Sequence, residues 1–511
     1  MQGTSARWLT AAAVVASFFW LLGAAPLFDV DEGAFSQATL EMFQRGDFLS
    51  TTLNGEPRYD KPILVYWLQA ASVALFGVRE WAFRLPSALC ATGWAWLTYL
   101  FVKRHYGEAR ALLAALLLAT SLGVFIIGRA ATADALLNLL LAASMFAAWL
   151  HLSTGRRRWL YATHAAIGLG VLAKGPIAIL VPFATTFIFC ALRKDLRTWA
   201  RAVFDWRALL LFLVIAAPWY IVILLKEGQA FIAGFFLKHN VARFSGPVSS
   251  HGGSLLYYFP VVLILSLPFT ALIVPVAQGI RSIWRDDLQL YLLLWFAFVF
   301  VFFSLSGTKL PHYLLYGYTG LAILMAVHGA DLKVVFWPML PVLLFFLALL
   351  GLPYALDWTL AHTPDAFYRE VLSAALQRFD TVYFGFLAVI CALVVFAMLE
   401  HATSLPRKLA VFGLAGVASL SSLVVPVAGF AQQSAIMEAA FLCRERDLHA
   451  VMWKLNAPSF SVYRGAPTPS REPQPGDVVV TKSNRLTELP ASLPYDVIYS
   501  KRGIVLARIR G

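Results

Sequence analysis

The chain has 511 residues, 60% of them hydrophobic and only 14% charged, a balance too apolar for a soluble protein of average composition. Its net charge of +13 would suit nucleic acid, but the basic residues are dispersed over loops and tail with no aromatic-interleaved patch, so no nucleic-acid partner is expected. Three of the four cysteines, Cys90, Cys190 and Cys391, fall in apolar runs and Cys443 stands alone in the tail, which leaves no disulfide framework.

A bilayer core about 30 Å thick takes roughly 20 apolar residues per helix. About 13 such runs follow one another: 8–27, 81–102, 110–127, 134–152, 159–173, 176–192, 208–225, 255–277, 288–305, 311–328, 334–354, 382–399 and 408–428. The first, preceded by Arg7 and ending in Gly23-Ala24-Ala25-Pro26, is long enough to span and reads as an anchor rather than a cleaved signal. Short loops bearing Lys103, Arg104 and Arg110, then Arg156, Arg157 and Arg158, then the arginines of 193–207, and later Arg281, Arg285, Lys333, Arg407 and Lys408 all fall on one side, which the positive-inside rule makes cytoplasmic. The N-terminus is then inside, and 28–80, 226–254, 355–381 and 429–511 are outside.

In the first outer segment, 33–46 sets Phe35, Ala38, Met42 and Thr39 at helical spacing with Gln37, Glu41 and Gln44 elsewhere, the pattern of an amphipathic helix. The apolar run 63–76 is short for a span and fits a second interfacial or re-entrant helix. From 429 onward charge rises, Pro and Gly cluster at 464–476, and 477–482, 495–500 and 503–509 read as strands. The expected fold is an all-α polytopic membrane protein over 1–428, with interfacial helices in 28–80, and a small C-terminal α/β domain over 429–511 on the outer side.

The acidic cluster Asp29-Val30-Asp31-Glu32 sits at the outer end of the first span. A base at a water–lipid boundary needs such a carboxylate, because partial burial raises its pKa toward working pH; Asp31 is the candidate, with Glu32 beside it. Capping of the following helix is the alternative. In Arg58-Tyr59-Asp60-Lys61-Pro62, Lys61 is a candidate phosphate anchor at the mouth of the run 63–76, against the alternative of a snorkelling lysine paired with Asp60. Asp134, with Asn138 one turn on, opens a span, and an ionisable group at membrane depth is a functional candidate; N-capping is the plainer reading. Arg129 could partner it or bind phosphate. Lys174 and Lys309 lie at outer span ends within two residues of proline, where a broken helix frees backbone to line a cavity. Arg243, in the fourth outer segment, suits bidentate phosphate recognition. A divalent metal on Asp60, His239 and His251 stays open, although isolated histidines are usually not ligands. These cations and carboxylates share one side of the membrane, as an amphiphilic donor with a phosphate head and a lipid tail would require. A transporter of lipid-linked sugar, the alternative, would concentrate its polar groups near the midplane on repeated, broken helices.

The segments DEGAFSQATLEMFQRGD, LNGEPRYDKPILVYW, AKGPIAILVP, HNVARF and GTKLPHYLL run in order through 31–320 and resemble the bacterial aminoarabinose transferase family, relatives of the protein O-mannosyltransferases within the GT-C glycosyltransferases. The resemblance implies 13 spans, two interfacial helices in the first outer loop, a small periplasmic tail domain and an inner-membrane enzyme. It further implies an undecaprenyl-phosphate-linked 4-amino-4-deoxy-L-arabinose donor and lipid A as acceptor, a modification that blunts polymyxin binding, with no required cofactor. By motif position it makes Asp31 the catalytic carboxylate and Asp134 the second key aspartate. Lys61 and Arg243 become donor-phosphate ligands, with Arg58, Lys174 and Lys309 as further cations. Phe35, Tyr59, Asp60, His312 and Tyr313 fall in the sugar and acceptor neighbourhood. The family commonly reads DETRYAE where this chain has DEGAFSQ, so Gly33, Ala34 and Phe35 replace a threonine, an arginine and a tyrosine. Another sugar, or a protein, hopanoid or glycan acceptor, is the alternative.

Overall fold

The computed structural model describes residues 3–241 and 253–510, with the side chains of 239–241 not included. Arg243 and His251, and the side chain of His239, lie outside the described residues. Among those described, seven helices are long and apolar enough to cross a membrane, or nine if each of two bent pairs forms one span.

All thirteen predicted runs contain helix, but three depart from a straight span. Helix α1 (Thr4–Phe19) stops well short of 27, because the carbonyls of Leu22, Ala25 and Pro26 turn away to accept hydrogen bonds from the Arg84 guanidinium at 2.8–2.9 Å. The run 110–127 divides into α5 (Glu108–Thr120) and α6 (Leu122–Arg129), bent by 64°. The run 255–277 divides into Tyr258–Leu265 and Thr270–Gln278, bent by 116°. The two breaks solve each other's backbone problem. The Leu122 amide donates to the Leu267 carbonyl at 2.9 Å, as unpaired polar backbone in an apolar setting requires. Gly123 allows the approach, since a Cβ there would come within 2.8 Å of the Leu265 side chain.

Between these elements run α2 (Asp31–Arg45), α3 (Leu64–Phe76), α4 (Glu80–Tyr106), α7 (Asp134–Thr154), α8 (Arg157–Lys174), α9 (Ile177–Leu192), α10 (Leu196–Val203) and α11 (Trp206–Glu227). Helix α2 is not the amphipathic surface helix expected from its spacing. Gln37 and Glu41 are as buried as Phe35, Ala38 and Met42, since α2 is packed against α3 and against a short tail helix. Glu41 is held by Gln37 and by the amides of Asn54 and Gly55, which fix the hairpin of β1 (Thr52–Leu53) and β2 (Glu56–Pro57).

The tail forms a sheet in the order β3-β4-β6-β5, from β3 (Ala450–Met452), β4 (Val478–Lys482), β5 (Tyr495–Lys501) and β6 (Ile504–Ile509). β3 pairs parallel to β4, and the other pairs are antiparallel. The three predicted strands are present and β3 is additional. The core of the tail is continuous with Leu27, Val73, Ala82 and Phe83 of the membrane part. The remaining pieces that reach the site are α12 (Leu315–Gly329), preceded by one 3-10 turn over Pro311–Leu314, and α13 (Pro458–Arg464) of the tail.

Candidate active site

A cavity of about 470 Å³ opens where α2, α6, α7 and the turn before α12 meet. Its apolar wall includes Phe125, Ile127, Leu265 and Leu315, and its polar lining includes Asp31, Asp134, Arg129 and His312. Asp31 is the first residue of α2 and is exposed, where the helix N-terminus favours a negative charge. Among the described residues its carboxylate accepts no hydrogen bond.

Glu32, next in sequence, is only 5% exposed and has no such freedom. Arg84 grips it from α4 with two hydrogen bonds of 2.7 and 2.9 Å, and the amides of Phe28 and Ala131 donate to the same oxygens. Burial alone would raise its pKa; the Arg84 guanidinium and these donors reverse the sign and hold the carboxyl charged. The expectation of a catalytic Glu32 is therefore corrected to a positioning role, because every oxygen is occupied and the pair ties α2 to α4 and to the start of α7.

Asp29 points the other way. Its carboxylate accepts from the Ser459 amide at 2.9 Å and from the Ser459 hydroxyl, which joins it to the first turn of α13. Burial pushes its carboxyl up to about 7 against the two Ser459 donors, which favour the charged form. Gly33 is required for this contact: a Cβ there would lie 2.2 Å from Asp29 Oδ1 and 2.5 Å from the Ser459 nitrogen. The Leu27 amide donates to the Tyr463 hydroxyl at 2.8 Å, a second link from tail to loop.

Asp134, the first residue of α7, is 7% exposed. Lys174 from the last turn of α8 donates to its Oδ1, Tyr316 donates at 2.9 Å, and His312 Nε2 stands 3.8 Å away. The Lys174 ammonium also lies over the rings of Tyr313 and Tyr316, at 5.8 and 5.3 Å from their centroids. This charge is already matched by Asp134. Lys309 is likewise buried, with its ammonium on the Ser306 carbonyl at 2.7 Å.

The segment 58–61 forms one rim. Arg58 pairs with Asp60 at 2.8 Å and lies over Phe35, itself stacked on Tyr66. Phe35 therefore underlies the part of the rim that Arg58 forms. Tyr59 turns away to Glu227 at 2.8 Å. Lys61 donates to the Asp60 carbonyl at 3.0 Å, and its charge reaches His312 together with those of Asp134, Lys174 and Asp31. These five groups, from five separate parts of the chain, form one electrostatic cluster. Among the described residues no three of His, Cys, Asp and Glu come together as a metal cluster, and Asp60 is committed to Arg58.

Sequence reasoning passed over Arg84 and Tyr316 as site residues. An arginine inside a span was a sufficient signal for the first; Tyr316 is one polar tip in an apolar run and carried none. Arg129 was noted, and its guanidinium is held by the carbonyls of Ser17 and Trp20.

Comparison with known proteins gives consistent results. Residues 60–222 match the family described as dolichyl-phosphate-mannose-protein mannosyltransferase. An uncharacterised protein of Aquifex aeolicus is 30% identical over 309 residues, covering 60% of this chain and 69% of that protein. The undecaprenyl phosphate-alpha-4-amino-4-deoxy-L-arabinose arabinosyl transferase of Aeromonas hydrophila is 32% identical over 327 residues, covering 62% of this chain and 58% of the relative. The match thus spans less than two thirds of that named transferase. The crystal structure of ArnT from Cupriavidus metallidurans bound to undecaprenyl phosphate superposes with a TM-score of 0.83 at 20% identity, over 98% of this chain and 97% of that one.

Proposed function

We propose that this chain is a membrane glycosyltransferase of the kind its aminoarabinosyl transferase relatives are named for, that it transfers a sugar from an undecaprenyl-phosphate donor to an acceptor on the outer side of the bacterial inner membrane, and that the reaction is delivery of 4-amino-4-deoxy-L-arabinose to lipid A. The observation that carries this reading is the cavity itself: an unengaged Asp31 carboxylate facing a buried Asp134–Lys174–Tyr316 cluster, with an apolar wall alongside. An amphiphilic donor needs that combination, a polar end for its glycosyl phosphate and an apolar flank for its chain.

The reaction is a single displacement. An acceptor oxygen attacks the anomeric carbon, the bond from that carbon to the phosphate oxygen breaks with its electron pair leaving on the phosphate, and configuration inverts. Lys61 holds the donor phosphate at the rim, joined by Arg243 on the strength of the sequence alone. Asp31 takes the proton of a hydroxyl acceptor; for a phosphate acceptor it orients the nucleophile and steadies charge developing on the sugar. Asp134 fixes Lys174, Tyr316 and the approach of His312, so this cluster is preorganised before donor arrives. The positive-inside rule sets the N-terminus in the cytoplasm and the site and tail in the periplasm.

The test is release of undecaprenyl phosphate by purified protein supplied with the lipid-linked sugar, together with the mass of lipid A from cells. Wild type releases the carrier and adds one pentosamine to lipid A; Asp31→Asn does neither. Carrier release unchanged in Asp31→Asn removes the catalytic assignment. Donor moved between leaflets with its glycosyl phosphate bond intact identifies a transporter. A second reading, the same chemistry with another sugar, is favoured by Phe35, which is buried under Arg58 where the family commonly has tyrosine; carrier release without a lipid A product selects it.

A further inference from the structure

The last turns of α7, the first halves of α8 and α11, and Ile179, Pro182, Phe183 and Thr186 of α9 border a second, partly open and almost wholly apolar cavity of about 150 Å³. Helix α7 carries Asp134 at one end and reaches this cavity with Ala148, His151 and Leu152, about 21–27 Å further along the helix. The short helix α10 closes it. Trp199, Ala202 and Val203 form its inner face and line the cavity, and the Trp199 indole is fixed by a 3.2 Å hydrogen bond to Thr186 Oγ1. Arg197 and Arg201, one turn apart, share another face of α10 and are exposed. Exposed Arg207 follows on the next helix, and exposed Arg156, Arg157 and Arg158 bracket the turn into α8. Asp195 and Asp205, the acids of this loop, cap helices and keep their charges, and against the six exposed arginines they leave the region net positive.

Three observations select the occupant. The cavity walls are mostly hydrocarbon, and apolar space of about 150 Å³ suits an apolar guest of roughly benzene size, such as a few methylenes of a lipid tail. Four polar side chains, His151, Thr163, His164 and Thr186, also line it. The Nδ1 atoms of His151 and His164 contact the carbonyls of Arg156 and Leu160 at 3.3 and 3.0 Å. Exposed Phe183, Leu196 and Phe204 beside the arginines set the region at the depth where lipid tails meet headgroups. A basic ring over a cavity between spanning helices matches an anionic lipid. We propose that this cavity takes a segment of one acyl chain of an anionic phospholipid, with the lipid phosphate held by Arg197 and Arg201, in the leaflet opposite the one where the sugar is transferred.

The proposal is tested by photolabelling the full-length protein in phosphatidylcholine vesicles containing a tenth of phosphatidylglycerol with a diazirine on its acyl chain. Labelled peptides should concentrate in 148–167 and 199–212, at least fivefold over the same diazirine carried by phosphatidylcholine. Arg197→Gln combined with Arg201→Gln should lower that excess at least threefold. Arg281→Gln combined with Arg285→Gln, exposed arginines elsewhere on the predicted basic side, should leave it unchanged. Ala202→Trp, which fills the cavity from α10, should lower labelling with both arginines in place. Equal labelling by the two lipids, adducts spread evenly over the lipid-facing helices, or an excess that survives both the arginine and the Ala202 variants would overturn it.

Discussion

Asp134 and Lys174 are each about one-tenth exposed at the side chain, and the two members of such a pair are unequal when removed singly or together. Asp134→Asn leaves a buried ammonium without its counter-charge, and breaking a buried pair in this way costs roughly 3–5 kcal/mol. Thermal unfolding in detergent should show a large loss for Asp134→Asn and recovery of much of it in Asp134→Asn combined with Lys174→Met. Carrier release should stay abolished in both. Asp31→Asn is the contrasting case: with no hydrogen bond to lose among the described residues, it should unfold at the wild-type temperature while losing at least a hundredfold in turnover. An Asp31→Asn variant that is also strongly destabilised would show that the carboxylate is a helix cap after all.

At the scale of elements, the junction of α2 with α13 carries a sign that pH can read. Asp29 has its folded pKa raised to about 7 from an ordinary carboxylate value. Its protonated form is the one the fold accommodates. The stabilisation from this group is complete below about pH 4 and is lost as pH rises toward 7, by at most about 1.4 kcal/mol per pH unit. The stability difference between wild type and Asp29→Asn, followed by thermal unfolding from pH 4 to 8, should therefore shift against wild type up to about pH 7 and then level off. Gly33→Ala, whose methyl group would overlap the Asp29 carboxylate, should cost about 1–3 kcal/mol, with faster proteolysis of the tail. Hydropathy made the helical runs legible, and short runs rich in β-branched residues revealed the strands at 477–482, 495–500 and 503–509. The bends at 121 and 266–269 were not legible, because each is stabilised by the other across 145 residues of sequence, and no local window contains both. The burial of α2 was hidden for a similar reason: Gln37 and Glu41 look solvent-facing until the hairpin amides that satisfy Glu41 are brought in. Among site residues, Asp31, Asp134 and Lys61 stood out as charges beside apolar runs. The assignment of Lys174 to Asp134 was beyond a sequence reading, since a lysine at a span end looks the same whether it meets phosphate, carboxylate or water.

For the whole molecule, the cavity is walled by the first outer turn, α6, the opening of α7 and the turn before α12, while the tail holds the first of these in place through Ser459 and Tyr463. Replacing both contacts, Ser459→Ala with Tyr463→Phe, should loosen the tail without unfolding the spans: accelerated tail proteolysis and a several-fold fall in carrier release, with the helical signal by circular dichroism retained. That Asp134 takes its partners from residues 40 and 182 positions later also sets an order of events during synthesis. At about 5–20 residues per second, the ribosome delivers Lys174 roughly 2–8 s after Asp134 but Tyr316 only roughly 9–36 s after it. For that interval the nascent chain carries a charged pair waiting for its hydroxyl, and the insertion machinery, rather than the finished fold, must shelter it.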